Sequence, residues 1–193
     1  GAQEKTDIAK FVIKNPKDLN VNIKIKEEDR LYGEDWYVFL SECKATIGVE
    51  AGVSIFDING KIRKEVEKRL IENAKIEFKE LHDNFLFKYE NNIPYRMISP
   101  RIFEAAAFKC LMILFEGDYN GLIKPNIHYL ELKKDFSNYD EIIDILKNNQ
   151  DYVNEIIENA YTDLIKSEKF SYKNFIFHFD SILDTNQNEN PMK

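Results

Sequence analysis

The sequence predicts an α/β fold built on a mainly parallel sheet, and three observations carry that expectation. Cys110 to Phe115 is a run of six apolar residues without alternation, bounded by Lys109 and Glu116. Such a run reads as a strand covered on both faces, as in parallel sheets. Ala45 to Val49 is a second short apolar run, leaving through the small-residue loop Glu50 to Ser54. Strand-length and helix-length patterns alternate along the chain, which is the signature of stacked α and β layers. Together they predict a Rossmann-like three-layer sandwich with extra helices at the carboxyl end.

Taken in order, Ile8 to Ile13 and Val21 to Ile25 read as short strands separated by the turn signal Asn15-Pro16. Behind Gly33, the residues Trp36, Phe39, Leu40 and Cys43 recur at helical spacing. Lys61 to Glu90 is heavily charged with two apolar stripes, Ile62/Val66/Leu70 and Phe78/Leu81/Phe85/Tyr89, and predicts two packed helices. Pro94 and Pro100 bracket the next segment; Ser99 stands where a helix cap would, with Pro100 at the first helical position. After the buried strand come a loop with two glycines, Glu116 to Gly121, and a further strand, His128 to Leu132. Three helices close the chain, on the stripes Ile142/Ile143/Leu146, Val153/Ile156/Ile157/Ala160/Leu164 and Phe175/Phe179/Ile182/Leu183. No repeat or flexible linker divides the chain, so residues 1–183 read as one domain and 184–193 as a polar, frayed tail.

Composition narrows the function. The 193 residues are 44% apolar and 13% aromatic, enough for a sizeable core. A net charge of −7 argues against nucleic acid or an anionic membrane as partner. No apolar run reaches the roughly 20 residues of a membrane span, and the amino end lacks a secretory signal, so a cytoplasmic protein is expected. Gly1-Ala2 reads as a cloning scar, making the chain a piece of something longer. Cys43 and Cys110 sit inside apolar patterns and read as buried free thiols. His82, His128 and His178 are isolated, so no metal site is expected. Dinucleotide, P-loop and nucleophile-elbow motifs are all missing.

What remains is the segment Ser99 to Ala107, which joins a capped helix start, a carboxylate and small residues directly before the buried strand. The amino end of that helix suits a diphosphate, Arg101 offers a bidentate phosphate contact, and Glu104 can accept two hydrogen bonds from vicinal ribose hydroxyls. Structural readings stand beside these: Glu104 favouring the helix dipole, Arg101 solvated.

The stretch Ser99 to Gly117, with Arg101, Phe103, Glu104 and Ala105 in an Arg-x-Phe-Glu-Ala pattern, resembles the nucleotide-sugar half of GT-B glycosyltransferases. The resemblance covers roughly Ala45 to Leu183 and is strongest over Tyr95 to Leu132. It implies an enzyme that binds a nucleoside-diphosphate sugar and transfers the glycosyl group to an unknown acceptor, with no metal or other cofactor. Many retaining members carry a second glutamate eight positions earlier; here that position is Arg96. The resemblance implies a diphosphate role for Arg96 and Arg101 and a ribose role for Glu104. Ser99 and Phe103, the loop Gly48–Ser54 with Glu50 and Gly52, and Tyr119, Asn120 and Gly121 are expected to frame the donor, Tyr119 touching base or sugar. A complete transferase needs an amino-terminal acceptor domain for which this chain has no room. The composition, rich in Lys, Asn and Ile, points to a bacterial source. The alternative is a non-catalytic α/β interaction module that kept the fold without nucleotide binding.

Overall fold

The computed structural model describes residues 2–90, 93 and 95–189. Pro94 and residues 190–193 of the expected tail lie outside them. Helix α1 (Ala2–Lys14) is followed by α2 (Gly33–Ser41), strands β1 (Ala45–Gly48) and β2 (Ala51–Val53), helices α3 (Lys61–Glu72) and α4 (Phe78–Leu81), and strand β3 (Tyr95–Met97). Then come α5 (Pro100–Ala107), β4 (Leu111–Phe115), β5 (Leu130–Leu132), α6 (Tyr139–Asn148), α7 (Gln150–Tyr161) and α8 (Tyr172–Glu189). Strands β1, β4 and β5 form a parallel sheet in the order β1-β4-β5, with Ala45 opposite Leu111 and Ile113 opposite Leu130. The fold is therefore α/β around a small parallel sheet, as predicted.

Strand β4 is the spine, and all five of its residues are buried. Successive side chains leave a strand on opposite faces. Leu111, Ile113 and Phe115 accordingly join one apolar cluster with Ile8 and Val12 of α1 and with Ile142, Leu146, Val153 and Ile156 of α6 and α7. Met112 and Leu114 join a second, with Leu40 of α2, Ile102, Ala105 and Ala106 of α5, and Ala160 near the end of α7. The uninterrupted apolar run predicted this two-sided burial.

The element that positions the candidate site is α5. Ser99 is extended and its Oγ accepts the Arg101 N–H at 3.4 Å, with Pro100 at the first helical position. Ala105 and Ala106 are almost wholly buried and let the helix lie close on the sheet. At its carboxyl end Lys109 adopts a left-handed φ of 53°, and the Lys109 and Cys110 N–H groups donate to Ala106 and Ala105 carbonyls. That pair of bonds closes the helix in a Schellman motif and turns the chain straight into β4.

The amino-terminal reading is corrected. Ile8 to Ile13 is part of helix α1, with Ile8 and Val12 one turn apart on the buried side and Phe11 stacked on Phe136 at 3.7 Å between ring centroids. Val21 to Ile25 forms no strand; Val21 and Ile23 only lean on the first cluster. Of the two packed helices expected over Lys61–Glu90, α3 is present but buries none of its residues, and the second is the four-residue α4, prolonged by a wider π turn, His82–Leu86. The tail begins later than expected, because α8 continues to Glu189. No helix among the described residues is long and apolar enough to cross a membrane.

The loop expected at Glu50–Ser54 also contains a strand: β2 pairs antiparallel with β3, Gly52 opposite Arg96. Gly52 sits at φ 125°, where side chains are strained, and a Cβ there would run into the Tyr95 carbonyl oxygen. Its place in the chain is explained by this close strand approach. Gly52→Ala is expected to destabilise the protein by about 2 kcal/mol or more, measured as the shift in a urea unfolding midpoint; an unchanged midpoint would refute the close approach.

Candidate functional site

The first turns of α2 and α5 converge on one groove of about 370 Å³, lined by Arg30, Leu31, Tyr32, Gly33, Trp36, Tyr37, Ser99, Pro100, Arg101 and Glu104. Each of these helices runs into a strand of the parallel sheet, α2 into β1 and α5 into β4. Their amino ends therefore face the end of the sheet from which loops leave the strands; no side chain caps the first N–H groups of α2, whereas in α5 Pro100 has no N–H and those of Arg101 and Ile102 are taken by Ser99. Glu104 is half-buried in the groove wall, where its Oε2 accepts the Trp36 Nε1–H at 2.9 Å. The Arg101 guanidinium lies over the Trp36 ring, 5.2 Å from its centroid. Arg30 lies over Tyr32 at 5.5 Å and pairs with Glu27 at 2.7 Å. The groove thus carries two guanidinium groups, one carboxylate and three aromatic rings.

Of the residues expected to frame a donor, Ser99, Arg101 and Glu104 line this groove. The others do not. Phe103 turns to the second apolar cluster and meets Phe170 edge-on at 5.3 Å. Gly52 serves the β2–β3 approach. Arg96, on β3, is taken by Glu4 of α1 at 2.6 Å, and Lys134 meets the same carboxylate at 3.1 Å. Arg96 is thereby removed from the Arg101 groove and acts as a tie between α1 and β3.

Tyr119 is corrected outright. It is fully buried, its hydroxyl donates to the Phe115 carbonyl at 2.6 Å, and it stacks edge-on with Tyr129; it offers no surface to a base or sugar. Burial, with Tyr129 and Glu50 nearby, raises its hydroxyl pKa. Glu50 is buried beside it, and one carboxylate oxygen accepts the Tyr119 backbone N–H at 2.9 Å. Gly117 leaves room for that carboxylate, since a Cβ at 117 would stand 2.9 Å from Glu50 Cδ. Asn120 Oδ1 accepts the Ile98 backbone N–H at 2.6 Å, directly ahead of the Ser99 cap. Gly121, at φ 65° with open space around it, completes the turn. Glu50, Tyr119 and Asn120 therefore hold the entrance of α5 in place and stand behind the groove.

Sequence reading missed Arg30, Tyr32, Trp36 and Tyr37 as groove residues. The available signal was Arg-Leu-Tyr-Gly directly before an aromatic helix start. Elsewhere, Cys110 is buried with its thiol against the Leu40 and Cys43 carbonyls. Burial, helped by Cys43, pushes that thiol up to about 11, and burial raises Cys43 as well. Neither suits a nucleophile at neutral pH. Among the described residues no cluster of three or more His, Cys, Asp or Glu could hold a metal ion.

Two expectations follow from these contacts. Glu50→Ala leaves the Tyr119 N–H buried without its acceptor and is expected to cost about 1.5–3 kcal/mol, whereas Glu50→Gln keeps an acceptor oxygen and costs less; equal urea unfolding midpoints for the two variants would overturn this. Burial alone would raise the Glu4 carboxyl, but hydrogen bonds led by that from Arg96 outweigh it and hold the group at about 2, against an ordinary 4.5. A depressed carboxyl stabilises the fold above the unfolded value, and that stability disappears as pH falls from about 4.5 towards 2. Discounted for the partial exposure of Arg96, the loss is about 1–2 kcal/mol. Thermal melts across this range should fall less steeply for Glu4→Gln than for the parent chain, and parallel curves would remove Glu4 from the account.

A comparison with models of protein families found no match, and neither did a comparison with curated proteins.

Proposed function

We propose that this chain is the donor-binding part of a glycosyltransferase and holds a nucleoside-diphosphate sugar in the groove between α2 and α5. In this reading the two-sided sheet is a Rossmann-like three-layer sandwich, the donor half of a GT-B enzyme working in the cytoplasm, with the acceptor held by another domain. The observation that carries it is that Ser99, Arg101 and Glu104, singled out as phosphate and ribose ligands, line one groove together with aromatic rings.

Arg101 and Arg30 neutralise the diphosphate, helped by the first N–H groups of α2, which no side chain caps. Glu104 keeps Oε1 for the ribose hydroxyls while Oε2 holds Trp36. Tyr32 or Tyr37 gives the base an aromatic face. In the transfer, an acceptor hydroxyl oxygen attacks the anomeric carbon and gives its proton to water or to the departing diphosphate, while the bond from that carbon to the diphosphate oxygen breaks and the diphosphate leaves with the electron pair. The guanidinium groups favour that step because the leaving group gains negative charge as the bond breaks.

One observation favours the alternative of a binding-silent interaction module: Trp36 already engages both Glu104 and Arg101, leaving the groove internally satisfied without a ligand. Calorimetric titration with UDP, GDP and ADP separates the two. Trp36 is the chain's single tryptophan, so its fluorescence follows the groove in the same samples. The proposal expects one nucleotide to bind, with Glu104→Ala weakening it by about 1.5–3 kcal/mol. Binding that survives Glu104→Ala unchanged removes the ribose role. The absence of heat and fluorescence change with all three nucleotides establishes the module.

A further inference from the structure

Helix α8 presents an apolar face to solvent. Every side chain from Tyr172 to Asp184 is exposed, including Tyr172 at 90%, Phe175 at 61% and Phe179 at 49%. At about 100° per residue, Tyr172, Phe175, Ile176, Phe179 and Leu183 fall within one stripe about 100° wide, with Phe177 on the far side. That width is what a helix buries against a partner.

The charges beside the stripe identify the partner. On the Ile176 side of the stripe, at about 100° per residue, Asp180, Lys173 and Asp184 follow about 40°, 60° and 80° beyond its edge, the cation near the amino end and both carboxylates near the carboxyl end. When two helices pack antiparallel about a two-fold axis, like edges meet. Tyr172 then lies level with Leu183 of a second copy and Ile176 level with its Phe179. In that register Lys173 falls between Asp180 and Asp184 of the second copy, and the symmetry makes the pairing twice. The helix dipoles also run head to tail. A parallel pair brings unlike edges together and loses both ion pairings.

We propose that α8 is a homodimerisation helix that packs antiparallel on the α8 of a second copy of this chain. The apolar side chains it exposes amount to several hundred Å², of the order of the 800 Å² that each partner contributes to a standard interface. An isologous contact of this kind is closed, so the assembly stops at two copies.

Sedimentation equilibrium of the chain over the micromolar range tests this. The expected mass is twice the 22.8 kDa of one chain, with Phe179→Glu sedimenting as a monomer. Lys173→Glu is expected to weaken the dimer about fivefold, and adding Asp180→Lys and Asp184→Lys to it should restore the dimer. The restored variant has every altered residue on the exposed helix, so recovery cannot come from repacking the core. A chain that stays monomeric throughout the range, a dimer that Phe179→Glu leaves intact, or a charge-reversed variant no tighter than Lys173→Glu would each overturn the proposal.

Discussion

The hydrogen bond from the Tyr119 backbone to the buried Glu50 carboxylate is the constraint on which the carboxyl edge of the sheet depends. Tyr119 and Asn120 are both left-handed, at φ 48° and 56°, which for a bulky tyrosine costs of the order of 1–3 kcal/mol. Such a turn persists only when its surroundings over-determine it. Here the Tyr119 N–H is tied to the end of β1, its hydroxyl to the end of β4, and Asn120 to the backbone entering α5. Strand exit and helix entry are thus linked through one loop. The Ser99 cap, and with it the direction of Arg101 and Glu104, is inherited from those ties.

Trp36 does the complementary work from the other side. Its indole N–H holds Glu104 and its ring faces Arg101, so a residue of α2 orders two residues of α5 across 65 to 68 positions of sequence. The net charge of −7 does not decide what this groove attracts. Screening at physiological salt limits exposed charges to about 8 Å, and around the groove Arg30 and Arg101 stand against Glu104, against Glu27, which pairs with Arg30, and against the Glu34 and Asp35 carboxylates of the first turn of α2. The local balance does not favour an anion, so an anion has to be recognised by geometry and not by field.

The parts of this arrangement that could be read from sequence are those set by local rules. Six apolar residues in a row announced β4, and Ser-Pro announced the cap of α5 because both signals are complete within a few residues. The amino-terminal segment was misread because Ile8, Val12 and Ile13 are β-branched, and such residues favour strands in the absence of packing; the decisive fact is that Ile8 and Val12, four apart, fit one face of the core. The candidate site was half legible. Glu104 and Arg101 stood out by their place on a capped helix, whereas the Trp36 contacts and the burial of Tyr119 depend on chain segments that meet only in the folded protein. A tyrosine between Asp118 and Asn120 looks like a loop residue until β5 brings Tyr129 beside it.

The same distinction between local and tertiary causes bears on α8. Its 18 residues are rich in Tyr, Phe, Ile, His, Asp and Asn, which are weak helix formers, and most helical stability in proteins comes from packing an amphipathic face and not from propensity. A helix with this composition gains its stability from covering its apolar stripe. From Tyr172 to Asp184 the side chains of α8 are exposed, so in the proposed dimer the second copy covers the stripe. In that dimer the entropy of fixing the segment would be set against the interface, and the secondary structure of the carboxyl end would depend on association.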